Sequence, residues 1–242
     1  MGIVPWDSNY QTTKFDPRTT AMVSPAPHPN GVPPNPSPHS ITQPYVALDC
    51  EMVGVGPGGK RSVLARVSVV DFVGNCLLDT YVRVQEKVTD YRTHITGIEP
   101  HHLLSPQAIP FAQCRNIVKD LTRNKILVGH GLNNDLKVLG LDHPWYCTRD
   151  TAFYKPYMRI DHYGRHSPRR LRDLAQSYLG IVIQQEGLSH NPIEDACAAM
   201  LLYRRAQSKV STFSLLTALR CCALYFSQLA LIETYSYVFF YL

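Results

Sequence analysis

Apolar, β-branched and aromatic residues crowd into three neighbouring runs along the chain: YVALDCEMV from Tyr45, SVLARVSVVDF from Ser62 and NCLLDTYVRV from Asn75, separated by GVGPGGKR and VGN. Runs of this length bounded by glycine predict three adjacent strands, paired antiparallel. After Pro110 the period changes. Phe111, Cys114, Val118 and Leu121 recur at helical spacing and lead into KILVGHG, a short apolar run ending in glycine, so a helix feeds a buried strand. NNDLKVLG predicts a helix stopped by Gly140, CTRDTAF a further strand, and SPRRLRDLAQSYLG a helix from Ser167 or Pro168 to a stop at Gly180. A last helix, NPIEDACAAMLLYRRAQ, has Ser189 or Asn191 to cap it and Pro192 in its first turn. Strands first, then alternating helix and strand, predict an α/β chain with one mixed sheet and helices packed against it.

Outside residues 45–208 this patterning stops. Ten of the eighteen prolines fall in residues 1–44, which predicts an extended, solvated tail, because proline removes amide donors and keeps its predecessor out of helix. Residues 209–242 form an apolar tail; from Ser211 onward only Arg220 and Glu233 are charged, against eight of the chain's 24 aromatics. Phe213 to Ile232 is long enough to cross a membrane. Its six leucines contribute about −3 kcal/mol to insertion and Arg220 costs about +3, so the two nearly cancel. An extra core helix, or a tail altered by splicing or by an incorrect gene model, is the preferred expectation. The start, MGIVPWDSNYQTTKF, lacks a basic segment followed by an apolar one, so no secretory signal is expected.

Composition narrows the chemistry only a little. The 242 residues carry 24 Lys+Arg against 19 Asp+Glu, a net charge of +5 that permits a polyanionic partner without naming one. Seven cysteines, an odd number with no CxxC pair, support neither a disulfide framework nor a cysteine zinc site and favour a reducing compartment. Gly54, Gly59 and Lys60 nearly match a phosphate-binding loop, but Arg61 stands where the hydroxyl residue belongs and a strand follows where a helix is needed. A glycine hairpin explains them better. Between Arg149 and Asp173 seven Lys+Arg face three Asp, with Phe153, Tyr154, Tyr157 and Tyr163 interleaved; such a segment suits single-stranded nucleic acid, or is simply a solvated loop and helix face.

The acidic residues are more telling. Asp49 and Glu51 interrupt the first strand at spacing i, i+2, so both leave the same face of a segment otherwise fit for burial. Asp135 in the first turn of a helix has an ordinary explanation in the helix dipole. Taken singly, Asp195 and His190 near the start of the last helix are structural residues. Together, four carboxylates from the first strand and two later helix openings converge at one edge of the sheet, the usual place for a site in such a fold. That cluster repels itself unless cations bind, and hard oxygen ligands select Mg²⁺ or Mn²⁺ over zinc. Two such ions about 4 Å apart stabilise the attacking and leaving oxygens of a phosphoryl displacement, and a histidine beside them takes a proton from the attacking water. The pattern is that of a metal-assisted phosphodiesterase.

LDCEMVGVGPGG with Asp49 and Glu51, TDYRTHITGI, ILVGHGLNNDLKVLGLDHP with Asp135, and His190 with Asp195 five residues later resemble the DEDDh exonucleases. The resemblance is closest to the RNA exonuclease 4 branch, related to the interferon-stimulated and apoptosis-enhancing nucleases, and covers Tyr45 to about Gln207 with all motifs in order. It implies a ribonuclease H-like fold with a five-stranded mixed sheet. It also implies that Asp49, Glu51, Asp135 and Asp195 hold two Mg²⁺ or Mn²⁺ ions and that His190 is the general base. Nucleoside 5′-monophosphates would then be released from the 3′ ends of single-stranded RNA. Met52 and Arg92 occupy positions that approach the terminal ribose in this branch and favour RNA through its 2′-hydroxyl. The branch is nuclear or nucleolar and linked to ribosomal RNA maturation, which makes pre-rRNA the expected partner. The proline-rich start and apolar end depart from the branch's long basic N-terminal segment and polar, basic tail, so nucleolar targeting is the expectation they touch most. Two alternatives stay open: an exonuclease acting mainly on DNA, and a non-catalytic module that binds single-stranded nucleic acid.

Overall fold

The computed structural model describes residues 44–207, and the expected tails, with the candidate membrane segment, lie outside them. Three long strands come first, β1 (Tyr45–Val55), β2 (Arg61–Asp71) and β3 (Cys76–Arg83), each antiparallel to the next. Short elements follow: β4 (Val88–Asp90), helices α1 (Thr93–Thr96) and α2 (Pro100–Leu104), and β5 (Ile109–Pro110). The second half alternates α3 (Phe111–Thr122), β6 (Ile126–Gly129), α4 (Leu132–Leu139) and β7 (Thr148–Asp150). A hairpin, β8 (Arg159–Ile160) with β9 (His166–Ser167), precedes α5 (Leu171–Leu174) and a last helix, α6, over 192–207.

The main sheet runs β5-β3-β2-β1-β6-β7, with β4 attached to β1. The five expected strands are all present, and β4 and β5 extend the sheet to seven. Those two additions are only three and two residues long, too short to leave an alternating pattern. β1 is central, antiparallel to β2 and parallel to β6, which explains its near-continuous apolar reading: both of its faces are covered. Leu48 and Cys50 point into a core with Cys114 and Val118 of α3 and Leu132 and Leu139 of α4. Tyr45 packs against the ring of Tyr203 in α6, and Val53 packs with Ala65, Ile98 and Leu103.

Local chemistry sets several boundaries. The glycine hairpin is observed: a tight turn at Pro57–Gly59 joins β1 to β2, and a Cβ on Gly54 would meet the Gly59 carbonyl oxygen at 2.4 Å. No helix follows, in keeping with the rejection of a phosphate-binding loop. Gly140 ends α4 at φ 59 with its N–H on the Leu136 and Lys137 carbonyls. Asn191, not Ser189, caps α6, its Oδ1 accepting the Ile193 N–H at 3.2 Å. One expectation fails. The helix placed from Ser167 or Pro168 begins at Leu171 and passes into a π turn over Ala175–Leu179 before Gly180 stops it. Proline holds the residue before it in extended backbone, so Ser167 completes the hairpin with Arg159 instead of opening a helix.

Candidate active site

The site grows from a mismatch in strand length. β6 pairs with β1 only from Tyr45 to Ala47, and β4 rejoins β1 only at Gly54 and Val55. In the stretch between, the Cys50 N–H donates to Asp135 Oδ1 at 3.0 Å, so the first turn of α4 supplies the acceptor that a neighbouring strand would otherwise provide. Asp135 therefore does more than complement the helix dipole. At the same end of α4, the carboxylate of Asp150 at the end of β7 accepts the N–H groups of Gly131 at 2.8 Å and Leu132 at 2.9 Å, and also that of Ala152 in its own loop at 2.9 Å.

Asp49 and Glu51 leave the face of β1 opposite Leu48 and Cys50, and there they meet the start of α6. Glu51, His190 and Asp195 each offer a ligand atom within 4.8 Å of one another. The surrounding protein raises the Asp49 carboxyl well above its ordinary value, first by desolvation and then through the charges of Asp135, Asp195 and Glu51. Burial pushes Glu51 up to about 8, with Asp195 and Asp135 adding to the shift and Arg66 opposing it. Burial likewise pushes Asp135 up to about 7 against the hydrogen bond from Cys50. Asp195 rises to about 6 through burial, opposed by a hydrogen bond from Gln184. Four carboxyls held above their usual range in one place are a site under electrostatic tension, which a divalent cation relieves. Asp195 Oδ1 fits such an ion: it is buried and has no hydrogen-bond partner among the described residues.

His190 is half-buried, with Nδ1 3.9 Å from Asp195 Oδ2. Burial, then the charge of Arg172, lowers its pKa, so the imidazole is neutral at neutral pH. Its main-chain N–H donates to the Ile95 carbonyl at 2.6 Å, tying this loop to α1. Ser189 lies so close that a Cβ on Gly97 would meet its Oγ at 2.7 Å.

The two substrate-side positions sit apart from this cluster. Met52 packs against the core beneath α3 and α4, on the face of β1 opposite Glu51. Arg92, at φ 50 before α1, donates from its guanidinium to Ser62 Oγ at 2.9 Å and to the Gly59 carbonyl at 2.9 Å, so it clamps the turn between β1 and β2. The basic and aromatic segment divides. Tyr157 is core, its hydroxyl donating to the Leu202 carbonyl at 2.9 Å, whereas Phe153 and Tyr163 are exposed, with Arg165 over the Tyr163 ring at 5.1 Å.

Three contributors had no sequence signal of their own. Arg66 lies directly opposite Glu51 in the β1–β2 register and is bound by both oxygens of Asp79, at 2.9 and 2.8 Å. Gln184 donates from Nε2 to Asp195 Oδ2 at 2.8 Å. Asp150 caps α4 as described. Pairing the predicted strands would have found Arg66; nothing local marks Gln184.

The Exonuclease family (RNase_T) matches residues 46–203, and the chain belongs to it. Its mixed sheet with flanking helices is the ribonuclease H-like arrangement of exonuclease domains. Relatives similar to it in sequence include RNA exonuclease 4 proteins. The RNA exonuclease 4 of Mycosarcoma maydis is 47% identical over 165 residues, 68% of this chain and 43% of the relative. That of Homo sapiens is 49% identical over 158 residues, 65% of this chain and 36% of the relative. The matched region thus spans less than half of either relative. Among solved structures, the Neurospora crassa Pan2 catalytic unit (protease and nuclease domain) superposes with a TM-score of 0.60 at 26% identity, covering 73% of this chain and 30% of that one. The Saccharomyces cerevisiae Pan2 pseudoubiquitin hydrolase-RNA exonuclease module in complex with AAUUAA RNA gives 0.58 at 30% identity, covering 69% and 29%.

Proposed function

We propose that this chain is a 3′–5′ exonuclease of single-stranded RNA that uses two Mg²⁺ or Mn²⁺ ions and releases nucleoside 5′-monophosphates. The observation that carries the reading is the convergence of Asp49, Glu51, Asp135 and Asp195 beside His190, with a bare, buried oxygen on Asp195. In this reading the four carboxylates hold the ions, which when bound supply electrostatic stabilisation to the attacking and leaving oxygens. Neutral His190 accepts the proton of a water attacking the terminal phosphorus. The bond to the 3′ oxygen of the shortened strand breaks, and that oxygen is protonated on leaving. The exposed Tyr163 of the β8–β9 hairpin, its ring covered by Arg165, which is itself paired with Asp161 at 2.7 Å, offers a stacking surface to the upstream strand. The non-catalytic alternative leaves the tension among the carboxylates without a purpose.

The direct test uses the purified chain with 3′-labelled and 5′-labelled single-stranded RNA, in Mg²⁺ and in chelator. Mononucleotide released at once from the 3′ label, a descending ladder from the 5′ label and silence in chelator are expected. Internal fragments, or activity that survives chelation, would overturn the reading. His190→Ala is expected to lower kcat roughly a hundredfold with KM little changed, the usual cost of losing a general base. Wild-type turnover in that variant at neutral pH would remove His190 from the chemistry.

We extend the proposal to RNA over DNA, with Arg92 acting on the ribose end of the site through the β1–β2 turn that its guanidinium clamps from the start of α1. A group bonded to the 2′-hydroxyl is left unpaired with deoxyribose at a cost of about 1–3 kcal/mol, so kcat/KM on RNA should exceed that on matched DNA roughly ten- to a hundredfold. Arg92→Ala should narrow the ratio. Equal rates at fixed salt, or a ratio that Arg92→Ala leaves unchanged, would show that the ribose is not read here, and faster cleavage of DNA would favour the DNA alternative. A role in ribosomal RNA maturation in the nucleus or nucleolus is the remaining part of the proposal; it rests on the branch resemblance, and mapping pre-rRNA 3′ ends after depletion, with immunolocalisation, would check it.

A further inference from the structure

Gln184 is one of three non-glycine residues in the left-handed region among those described, at φ 49, in the loop between the π turn and α6. A side chain with a Cβ occupies that region only when something holds it there. Its holding contact is the 2.8 Å hydrogen bond from Nε2 to Asp195 Oδ2. The other oxygen of the same carboxylate, Oδ1, is buried with no hydrogen-bond partner among the described residues, and Asp195 as a whole is 3% exposed. One oxygen is therefore fixed and its twin is left bare, although a buried carboxylate ordinarily fills both.

The chemistry of the donor matters. An arginine or lysine here would neutralise Asp195 and compete with a cation. A carboxylate would add a fifth negative charge and no donor. A hydroxyl on a short side chain would not span from this loop. A primary amide fixes the rotation of the carboxylate and leaves its full charge in place. We propose that Gln184 is a positioning residue for the cation site: it orients Asp195 so that Oδ1 is presented to a divalent ion, and the left-handed backbone is what brings its amide within reach. The inference rests on the metal reading above and names a residue that reading does not use.

The test measures Mn²⁺ binding to the metal-free full chain by titration calorimetry and by electron paramagnetic resonance, with the melting temperature in chelator recorded beside it. Three variants are compared with wild type. Gln184→Met keeps the length and loses the amide, Gln184→Gly loses the amide and relaxes the backbone, and Asp195→Asn removes the charge of the ligand. Both Gln184 variants should bind Mn²⁺ about ten- to a hundredfold more weakly, the usual effect of removing a group that orients a metal ligand. For Gln184→Gly the metal-free melting temperature should change little, since relief at positive φ offsets the lost hydrogen bond. Unchanged Mn²⁺ affinity in both Gln184 variants, with Asp195→Asn impaired, would overturn the positioning role alone. Affinity that falls in Gln184→Met but returns to wild type in Gln184→Gly would assign the residue to loop geometry and also overturn it. If Asp195→Asn binds Mn²⁺ as wild type does, the metal reading itself fails.

Discussion

Asp49→Asn and Asp135→Asn are each expected to lower exonuclease turnover by at least about a thousandfold at saturating Mg²⁺, while the metal-free protein melts at a higher temperature than wild type. The two effects share a cause. Asp49 bears the charges of Asp135, Asp195 and Glu51, so a neutral amide at either position removes repulsion that the folded protein otherwise endures. In Asp135→Asn the new amide oxygen can still accept the Cys50 N–H, which Asp135 accepts at 3.0 Å, so the backbone around β1 need not rearrange. Single-turnover rates on labelled RNA and melting curves in chelator check the two halves separately. Retained turnover in either variant would discard the carboxylate assignment. Lost turnover with a lower metal-free melting temperature would mean that the aspartates stabilise the fold and that the tension was misread.

The same carboxylates make the stability of the metal-free protein depend on pH in an unusual sense. Glu51 is raised to about 8, Asp135 to about 7 and Asp195 to about 6, above the value near 4 that each has in an unfolded chain. Between those values the folded state binds more protons than the unfolded one, so the contribution is complete below about pH 4 and is lost as pH rises through 6 to 8. His190, held below its ordinary value, acts in the opposite sense and only below about pH 6.5. Divalent cations need the ionised carboxylates and therefore stabilise most where the protonated ones are lost. Addition of millimolar Mg²⁺ or Mn²⁺ should raise the melting temperature by roughly 5 °C or more at pH 8 and by almost nothing at pH 5. Melting curves across that range with and without the ion decide it. Equal stabilisation at both ends, or none, would mean that the cations do not bind at these carboxyls.

Much of this site was legible in the sequence because acids in an apolar strand have few explanations. Asp49 and Glu51 stood out against Ala47, Leu48 and Val53, and alternation alone put them on one face. Asp135 and Asp195 became informative only in company, since each has a helix-start explanation when read singly. The five main strands and the helices α3, α4 and α6 were likewise visible, because their apolar runs and spacings are clean, whereas the short helices α1 and α2 and the β8–β9 hairpin left no such signal. What escaped had no period to betray it. β4 and β5 are too short to alternate, and Ser167 obeyed the proline after it rather than the helix signal it mimics. Gln184 is an ordinary loop residue until the fold brings it to Asp195. Arg66 reads as a polar interruption of β2, and only the register with Glu51 and the grip of Asp79 give it a role.

The unequal lengths of the strands around β1 fix the reach of the site as well as its place. β1 is released by β6 after Ala47 and taken up again by β4 at Gly54, so the open stretch between is six residues, about 20 Å of extended chain. Its two ends are defined by main-chain pairing and not by any side chain. The length of this acid-bearing span is thus a property of the scaffold: exchanging Asp49 or Glu51 alters the charge it carries, while only lengthening or shortening β6 or β4 would alter how much of β1 is left without a strand on that edge.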